Sequence, residues 1–199
     1  TNAPTVAITS SATTLASEDT AVITVTLSSP STTFADGDIT AKDAGGSTVG
    51  TISGFTAVSS TVYTAVYTPD TSSSTPAIIS VAASAFTDLD GNNNLAGSLQ
   101  LQIDTAAPTV TITKSATSVA IGDTATFTFT LSDSTTDFAV TDITATGGTI
   151  GSFNGSGAVY TAVFTPDADF SGTATVAVGA GAFADDAGNE SAAASDNTL

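Results

Sequence analysis

Among its 199 residues the chain has no cysteine, histidine, arginine, methionine or tryptophan. Without histidine and cysteine it cannot build a Ser-His-Asp triad, a thiolate nucleophile, an imidazole or thiolate zinc site, or the usual haem ligation. Hydrolytic and redox chemistry lose their ordinary tools. Lys42 and Lys114 are the only side-chain cations, whereas binding nucleic acid requires many, to displace the counterions condensed on phosphates. Nucleic acid and anionic membrane surfaces are therefore excluded as partners. No apolar run approaches the ~18 residues of a spanning helix. The chain opens on TNAPTV instead of a basic stretch followed by an apolar one, so no direct membrane insertion is expected. The lack of disulfides leaves the compartment open, because exported proteins can also do without cysteine.

What the chain does have is aspartate and an internal repeat. Asp and Glu together number 19, of which 17 are Asp, and the formal net charge is −17. Hydrophobic residues make up 41% of the chain, enough to fill a core. APTVAIT at 3–9 returns as APTVTIT at 107–113, an offset of 104 that also places Asp19 on Asp123, Phe34 on Phe138 and Asp38 on Asp142. A longer first-copy loop around KDAGGSTVG then changes the offset to 97, which aligns YTAVYTPD at 63–70 with YTAVFTPD at 160–167, and Asp88 and Asn92 with Asp185 and Asn189. Self-similarity of this period marks tandem modules, predicted as repeat 1 over 1–104 and repeat 2 over 105–199. The second copy stops at SDNTL, short of the LQLQIDT that closes the first. The expectation is a piece of a longer array, with the last strand of repeat 2 truncated.

Within each copy the pattern has period two. TVAIT, AVITVTLS, VYTAVYT and SLQLQI alternate apolar with Thr or small polar residues, as do TVTIT, TATFTFTLS, VYTAVFT and TATVAV. These are half-buried strands rich in β-branched and aromatic residues. Turn signals such as SSP, DGD, TPD and GN separate them at roughly 8–12 residues. The fold class predicted is all-β: two tandem immunoglobulin-like antiparallel β-sandwich domains, elongated and end to end. In the first copy strand A falls at 5–9, B at 20–28, C at 38–42, E at 61–68, F at 76–84 and G at 98–103.

On that topology the acids collect at the poles. Glu18, Asp19, Asp43 and Asp70 fall at the C-terminal pole of repeat 1. Asp133, Asp137, Asp185, Asp186 and Asn189 fall at the N-terminal pole of repeat 2, and Asp104 lies in the linker. Two carboxylates about 5 Å apart repel by roughly 3 kcal/mol at an effective dielectric near 20. Calcium would relieve this, since it takes six to eight oxygens from carboxylates, amides, carbonyls and water. The alternative is that aspartate serves as a turn former on solvated loops. The metal candidates are Asp104, Asp185, Asn189, Asp137, Asp133, Asp70 and Asp19, with Asp88 and Asn92 as a second set. DLDGNNN at 88–94 opens like an EF-hand loop but has Asn93 where glycine is required and Leu99 where the closing glutamate belongs.

The linker IDTAAPTVTIT, the GDTATFTFTLS strand, the FTPD turn and the AFADDAGN loop resemble the tandem bacterial immunoglobulin-like repeats of giant, type I-secreted, RTX-like adhesins, over essentially the whole chain. The resemblance implies a secreted or cell-surface protein of adhesion and biofilm formation, monomeric, with calcium as cofactor and the adjacent repeats as its partners. A distal surface or host-cell ligand is then bound by other domains. It also implies interdomain calcium on the positions matching the family's linker and loop aspartates, here Asp104, Asp185 and Asn189. The position matching Asp104 in the first copy would lie before Thr1, outside this sequence, so the site on Asp88 and Asn92 is expected to be incomplete here.

The function expected is therefore a non-enzymatic structural spacer whose interdomain junction calcium rigidifies. The alternative is a carbohydrate- or receptor-binding module. Against it, Phe34, Phe55, Tyr63, Tyr67 and Phe86 recur as Phe138, Phe153, Tyr160, Phe164 and Phe183, as core residues should. Carboxylate-pair catalysis would need a cleft with aromatic subsites. A Lys–Asn isopeptide staple is disfavoured because Lys42 and Lys114 occupy non-equivalent positions. Salt adaptation predicts Glu beside Asp on the strand faces, where the sequence has Thr and Ser. The sequons beginning at Asn154 and Asn189 read as chance matches.

Overall fold

The structure, a computed structural model, describes residues 2–196 and 199. The chain divides into two compact units, Thr1–Ala106 and Ala107–Leu199. The first contains β1 (Val6–Ser10), β2 (Thr14–Leu15), β3 (Ala21–Leu27), β4 (Ile39–Lys42), β5 (Thr51–Ala57), β6 (Val62–Thr68), β7 (Ala77–Val81) and β8 (Gly97–Ile103). They form two four-stranded sheets, in the orders β1-β3-β6-β5 and β2-β8-β7-β4. All pairings are antiparallel except β2 with β8.

Alternation explains the packing. In β3, Ala21, Ile23, Val25 and Leu27 are buried, and across the core they meet Ala77, Ile79 and Val81 of β7 and Leu101 and Ile103 of β8. Each of the Ile, Val and Leu side chains among them contributes about 1.5–3 kcal/mol when fully buried. On the outer face, Thr9, Thr24, Thr64 and Thr56 stand opposite one another across all four strands of the first sheet.

The strands predicted at 5–9, 20–28, 38–42, 61–68 and 98–103 lie within a residue of those observed. The strand expected over 76–84 ends at Val81, because Ser84 turns into the left-handed region at φ 61° and its amide bonds the Asn94 carbonyl. Two strands escaped the sequence reading, β2 and β5. In β5 the residues packed on the core, Ile52 and Phe55, are three apart, because a bulge between Ser53 and Thr56 reverses the parity. That breaks the period-two signal.

The second unit contains β9 (Val110–Lys114), β10 (Ala125–Thr135), β11 (Ile143–Thr146), β12 (Gly148–Pro166), β13 (Thr175–Val178) and β14 (Ala194–Asp196). Its sheets run β12-β10-β9 and β11-β13-β14. Although β12 is one continuous element, the rings of Phe153 and Tyr160 are stacked 5.5 Å apart. Seven residues of straight strand would separate them by roughly 23 Å, so β12 folds back on itself as the counterpart of β5 and β6. Among the described residues no counterpart of β2 forms, although Val119 still packs on the core. The closing residues of the predicted repeat 2 fall partly outside the described residues.

Both cores are organised by one ring. Phe34 lies 4.8–5.8 Å from Phe55, Tyr63 and Phe86. Phe138 lies 5.1–5.8 Å from Phe129, Phe153, Tyr160 and Phe183. The extra neighbour arises because Phe129 stands where the first unit has Val25.

The course of the chain through unit 1 follows from three contacts. The carbonyl of Pro4 accepts from Leu95 N at 2.8 Å, beside the start of β8. At the other end of β8, Leu15 pairs with Ile103 and the Asp104 amide donates to the Leu15 carbonyl at 3.0 Å. The chain therefore enters at the pole of the β3–β4 and β7–β8 loops and leaves from the opposite one. Unit 2 is entered in the same way, with the Ala192 amide on the Pro108 carbonyl at 2.9 Å.

Candidate functional site: the carboxylate-bearing loops

At the pole where the chain leaves unit 1, Glu18, Asp19 and Asp70 line one concavity with Ser17, Thr68, Pro69, Thr71 and Thr105. Asp43 is not among its lining residues. Each aspartate is also committed to a turn. Asp19 Oδ2 accepts from Ala16 N at 3.0 Å, Asp70 Oδ2 from Gly50 N at 2.8 Å, and Asp43 Oδ1 from Ser47 N at 2.8 Å. Behind Asp70, burial raises the Tyr67 hydroxyl above its ordinary 10.0 and the Asp70 charge adds to the effect.

The linker is anchored here. Thr105 is buried, its Oγ1 donates to the Asp70 carbonyl at 2.7 Å and accepts from Ser73 N at 2.9 Å, and its own amide donates to the Ser73 carbonyl at 2.8 Å. Beside it, the Asp104 carboxylate accepts from Ala106 N at 3.4 Å. Thr105 thus belongs structurally with unit 1.

At the opposite pole each unit carries the same loop brace. Asp88 Oδ1 accepts the main-chain amides of Asp90 at 3.0 Å and Asn92 at 2.8 Å, and the Asn92 Nδ2 reaches both carboxylate oxygens at 2.9–3.0 Å. Asp185 Oδ1 accepts from Ala187 N and Asn189 N, both at 2.9 Å, and Asp185 Oδ2 from Asn189 Nδ2 at 2.9 Å. These donors favour the ionised acid, so Asp88 is held below 3.8, first by the Asn92 side chain and then by its amide. In each pair the asparagine amide nitrogen therefore points at the aspartate.

A second brace joins this loop to the β3–β4 connection, or β10–β11 in unit 2. Asp137 Oδ2 accepts from Ala184 N at 3.2 Å, and the Thr135 hydroxyl donates to Asp137 Oδ1, which is the main reason the Asp137 carboxyl lies below 3.8. In unit 1 the equivalent tie runs from Thr87 N to Thr33 Oγ1 at 2.9 Å. Asp133 accepts from its neighbour Ser132 Oγ at 2.7 Å, and Asp186 is exposed.

Several pole hydrogen bonds of equal structural weight were not foreseen from sequence, where Tyr63 and Tyr160 were read as core residues only. Tyr63 Oη donates to the Ser31 carbonyl at 3.1 Å and Tyr160 Oη to the Thr135 carbonyl at 3.0 Å. Buried Asn94 accepts from Phe86 N at 2.9 Å and donates to the Ala82 and Leu95 carbonyls, both at 2.8 Å; at the same register Ser191 Oγ accepts from Ala182 N and Phe183 N at 3.1 and 3.3 Å. The repeat register carried the signal, since both copies place a hydrogen-bonding side chain at each position.

The structure thus brings Asp19 and Asp70 to one concavity, pairs Asp88 with Asn92 and Asp185 with Asn189, and ties Asp137 to the loop bearing Asp185. Within either unit, no three of the described acidic side chains gather into a metal-sized cluster. A calcium shell built on one unit would therefore draw on main-chain carbonyls and water as well as carboxylates, each of which has lone pairs beyond those its turn uses.

A family model of the bacterial Ig-like domain matches the chain twice, over residues 1–103 and 104–199. The chain belongs to the bacterial Ig-like domain family. Among solved structures, these Ig-like repeats are similar to the Escherichia coli adhesin FdeC, with 13% identity and a TM-score of 0.49, covering 96% of this chain and 63% of that one. For the Yersinia pseudotuberculosis adhesin InvE the identity is 17% and the TM-score 0.40, covering 98% and 58%. For InvD of the same organism the values are 20% and 0.32, covering 96% and 56%. The Ig-like pair spans less than two thirds of each of those chains. No curated protein matches it significantly.

Proposed function

We propose that the chain is a non-enzymatic spacer within a secreted, cell-surface bacterial adhesin, and that calcium restrains the linkage between its successive repeats. The observation that carries the spacer reading is the path through unit 1. The chain enters beside Leu95, runs the length of β8 and leaves from the opposite pole, where Thr105 is bonded into the β6–β7 loop. A module crossed from pole to pole adds its length to whatever chain it is placed in. The repeated aromatic residues supply the cores, so they do not form a stacking platform for a sugar.

Calcium fits the available donors, which are carboxylates, amides and carbonyls with no histidine or cysteine. In this reading Asp104 is the leading ligand, supported by candidates among Asp19, Asp70, Asp133, Asp137, Asp185 and Asn189. Asp88 and Asn92 form the weaker set. The adhesive target is bound by other domains of the parent protein. Calorimetric titration of the chain with calcium at physiological ionic strength tests this, alongside the variant Asp104→Ala. Saturable heat with at least one ion per chain, weakened in the variant, is the expected result. No heat from either protein would leave the carboxylates as turn formers alone and remove calcium from the account.

A further inference from the structure

We infer that Asn154 is a site of spontaneous covalent modification, deamidating through attack by the main-chain nitrogen of Gly155. The chain has asparagines at 2, 92, 93, 94, 154, 189 and 197, and only Asn154 is followed by glycine. A missing Cβ on the following residue leaves the attacking nitrogen least hindered. The fold demands that glycine. At 155 φ is +141°, and a Cβ would lie 2.4 Å from the Val159 carbonyl oxygen and 2.5 Å from the Tyr160 Cα. The reactive dipeptide is therefore fixed by the geometry of the turn within β12, where the chain doubles back to stack Phe153 on Tyr160.

The environment also singles out this asparagine. Asn154, Gly155 and Ser156 are exposed. Among the described residues the Asn154 side-chain amide has no hydrogen-bond partner; the one side-chain contact at this residue is Thr161 Oγ1 on its main-chain carbonyl at 3.4 Å. Gly157, at φ +66°, adds a second permissive joint two residues on. By contrast, Asn92 and Asn189 are bound to Asp88 and Asp185, and buried Asn94 makes three hydrogen bonds.

The chemistry balances with water as the only co-reactant. The Gly155 nitrogen forms a bond to Asn154 Cγ as the Cγ–Nδ2 bond breaks, and Nδ2 departs as ammonia with the proton displaced from the attacking amide. The succinimide then adds one water at either carbonyl and opens to aspartate or isoaspartate. Both products add one negative charge to a chain already at −17. Isoaspartate also inserts a methylene into the main chain where Gly155 passes against Val159, which should loosen the tip of the β12 hairpin while the first unit stays unchanged.

The test is to age the intact chain in warm, mildly alkaline buffer and map modified residues by peptide mass spectrometry, with enzymatic methyl labelling to report isoaspartate. Asn154→Gln and a short peptide of sequence SFNGSG are run in parallel. The proposal expects the amide-to-acid mass change at Asn154, isoaspartate labelling of the same peptide, unchanged Asn92 and Asn189, and no conversion in Asn154→Gln over the same interval. Conversion of the free peptide with Asn154 intact in the folded chain would overturn it, because the hairpin would then be shown to protect the site. So would conversion that falls mainly on another asparagine.

Discussion

Replacing Phe138 by alanine removes the ring on which the second core is built. Phe138 is 4% exposed and touches four other rings at centroid distances of 5.1–5.8 Å. Truncating a buried phenylalanine destabilises by about 3–5 kcal/mol through lost transfer energy and the cavity left behind. Each aromatic pair adds about 0.5–1.5 kcal/mol, though the four share one ring and do not sum. A loss of about 4 kcal/mol is expected, a large part of the ~5–15 kcal/mol that holds a domain together. For a unit of this size it lowers the midpoint of thermal unfolding by roughly 20 °C. Thermal unfolding followed by NMR, which resolves amides of the two units, should show unit 2 melting early and unit 1 unchanged. Phe34→Ala should do the reverse with a smaller loss of about 3 kcal/mol, since Val25 replaces one ring neighbour. A shift of only a few degrees, or equal losses in both units, would refute the idea that each core closes around its own central ring.

Other outcomes follow from the loops and the strand ends. At Gly50, φ is +65° and a Cβ would lie 2.4 Å from the Thr68 carbonyl and 2.7 Å from the Tyr67 ring, so Gly50→Ala combines left-handed strain with overpacking. Chemical denaturation of that variant should show a loss of about 2–4 kcal/mol, confined to unit 1. Asp88 and Asp137 have folded pKa values depressed below 3.8. Their contribution to stability is therefore complete above 3.8 and is lost as pH falls through the lower folded values. Denaturation midpoints of Asp88→Asn, measured through the acid range, should depend less steeply on pH than those of the parent. Tyr67 has the opposite sign: its raised pKa stabilises the fold below pH 10.0, and that contribution disappears as pH climbs through the folded value. Tyr67→Phe should flatten this alkaline loss in the same denaturation assay.

Much of the sandwich was legible because β1, β3, β6 and β8 carry a period-two pattern and the internal repeat supplied a second reading of nearly every strand. The alternation failed at β5, where the bulge brings Phe55 to the same face as Ile52 despite their opposite parity, and in the second unit, where Ile150 and Phe153 repeat the same three-residue step. Two-residue β2 is too short to carry any periodic signal, and its parallel partner β8 lies far along the chain, with Thr14 opposite Gln102 and Leu15 opposite Ile103. The loops were legible in part. Asp88 with Asn92 and Asp185 with Asn189 were recognised as pairs, while the structure shows the asparagine donating to the aspartate in each. Spacing alone could not distinguish ligand from brace, because the same short carboxylate suits a cation and a turn's main-chain amides equally well. Thr33 and Asp137, which make the same tie with different chemistry, show that each repeat keeps the connection and varies the group.

The central claim is that calcium turns a pair of jointed modules into a stiff length of chain. Small-angle X-ray scattering of the intact chain, recorded once with calcium and once with chelator, tests it most directly. The account predicts a longer maximum dimension and a narrower distance distribution with calcium, and loss of that difference in Asp104→Ala. Scattering profiles that superimpose with and without calcium would contradict it.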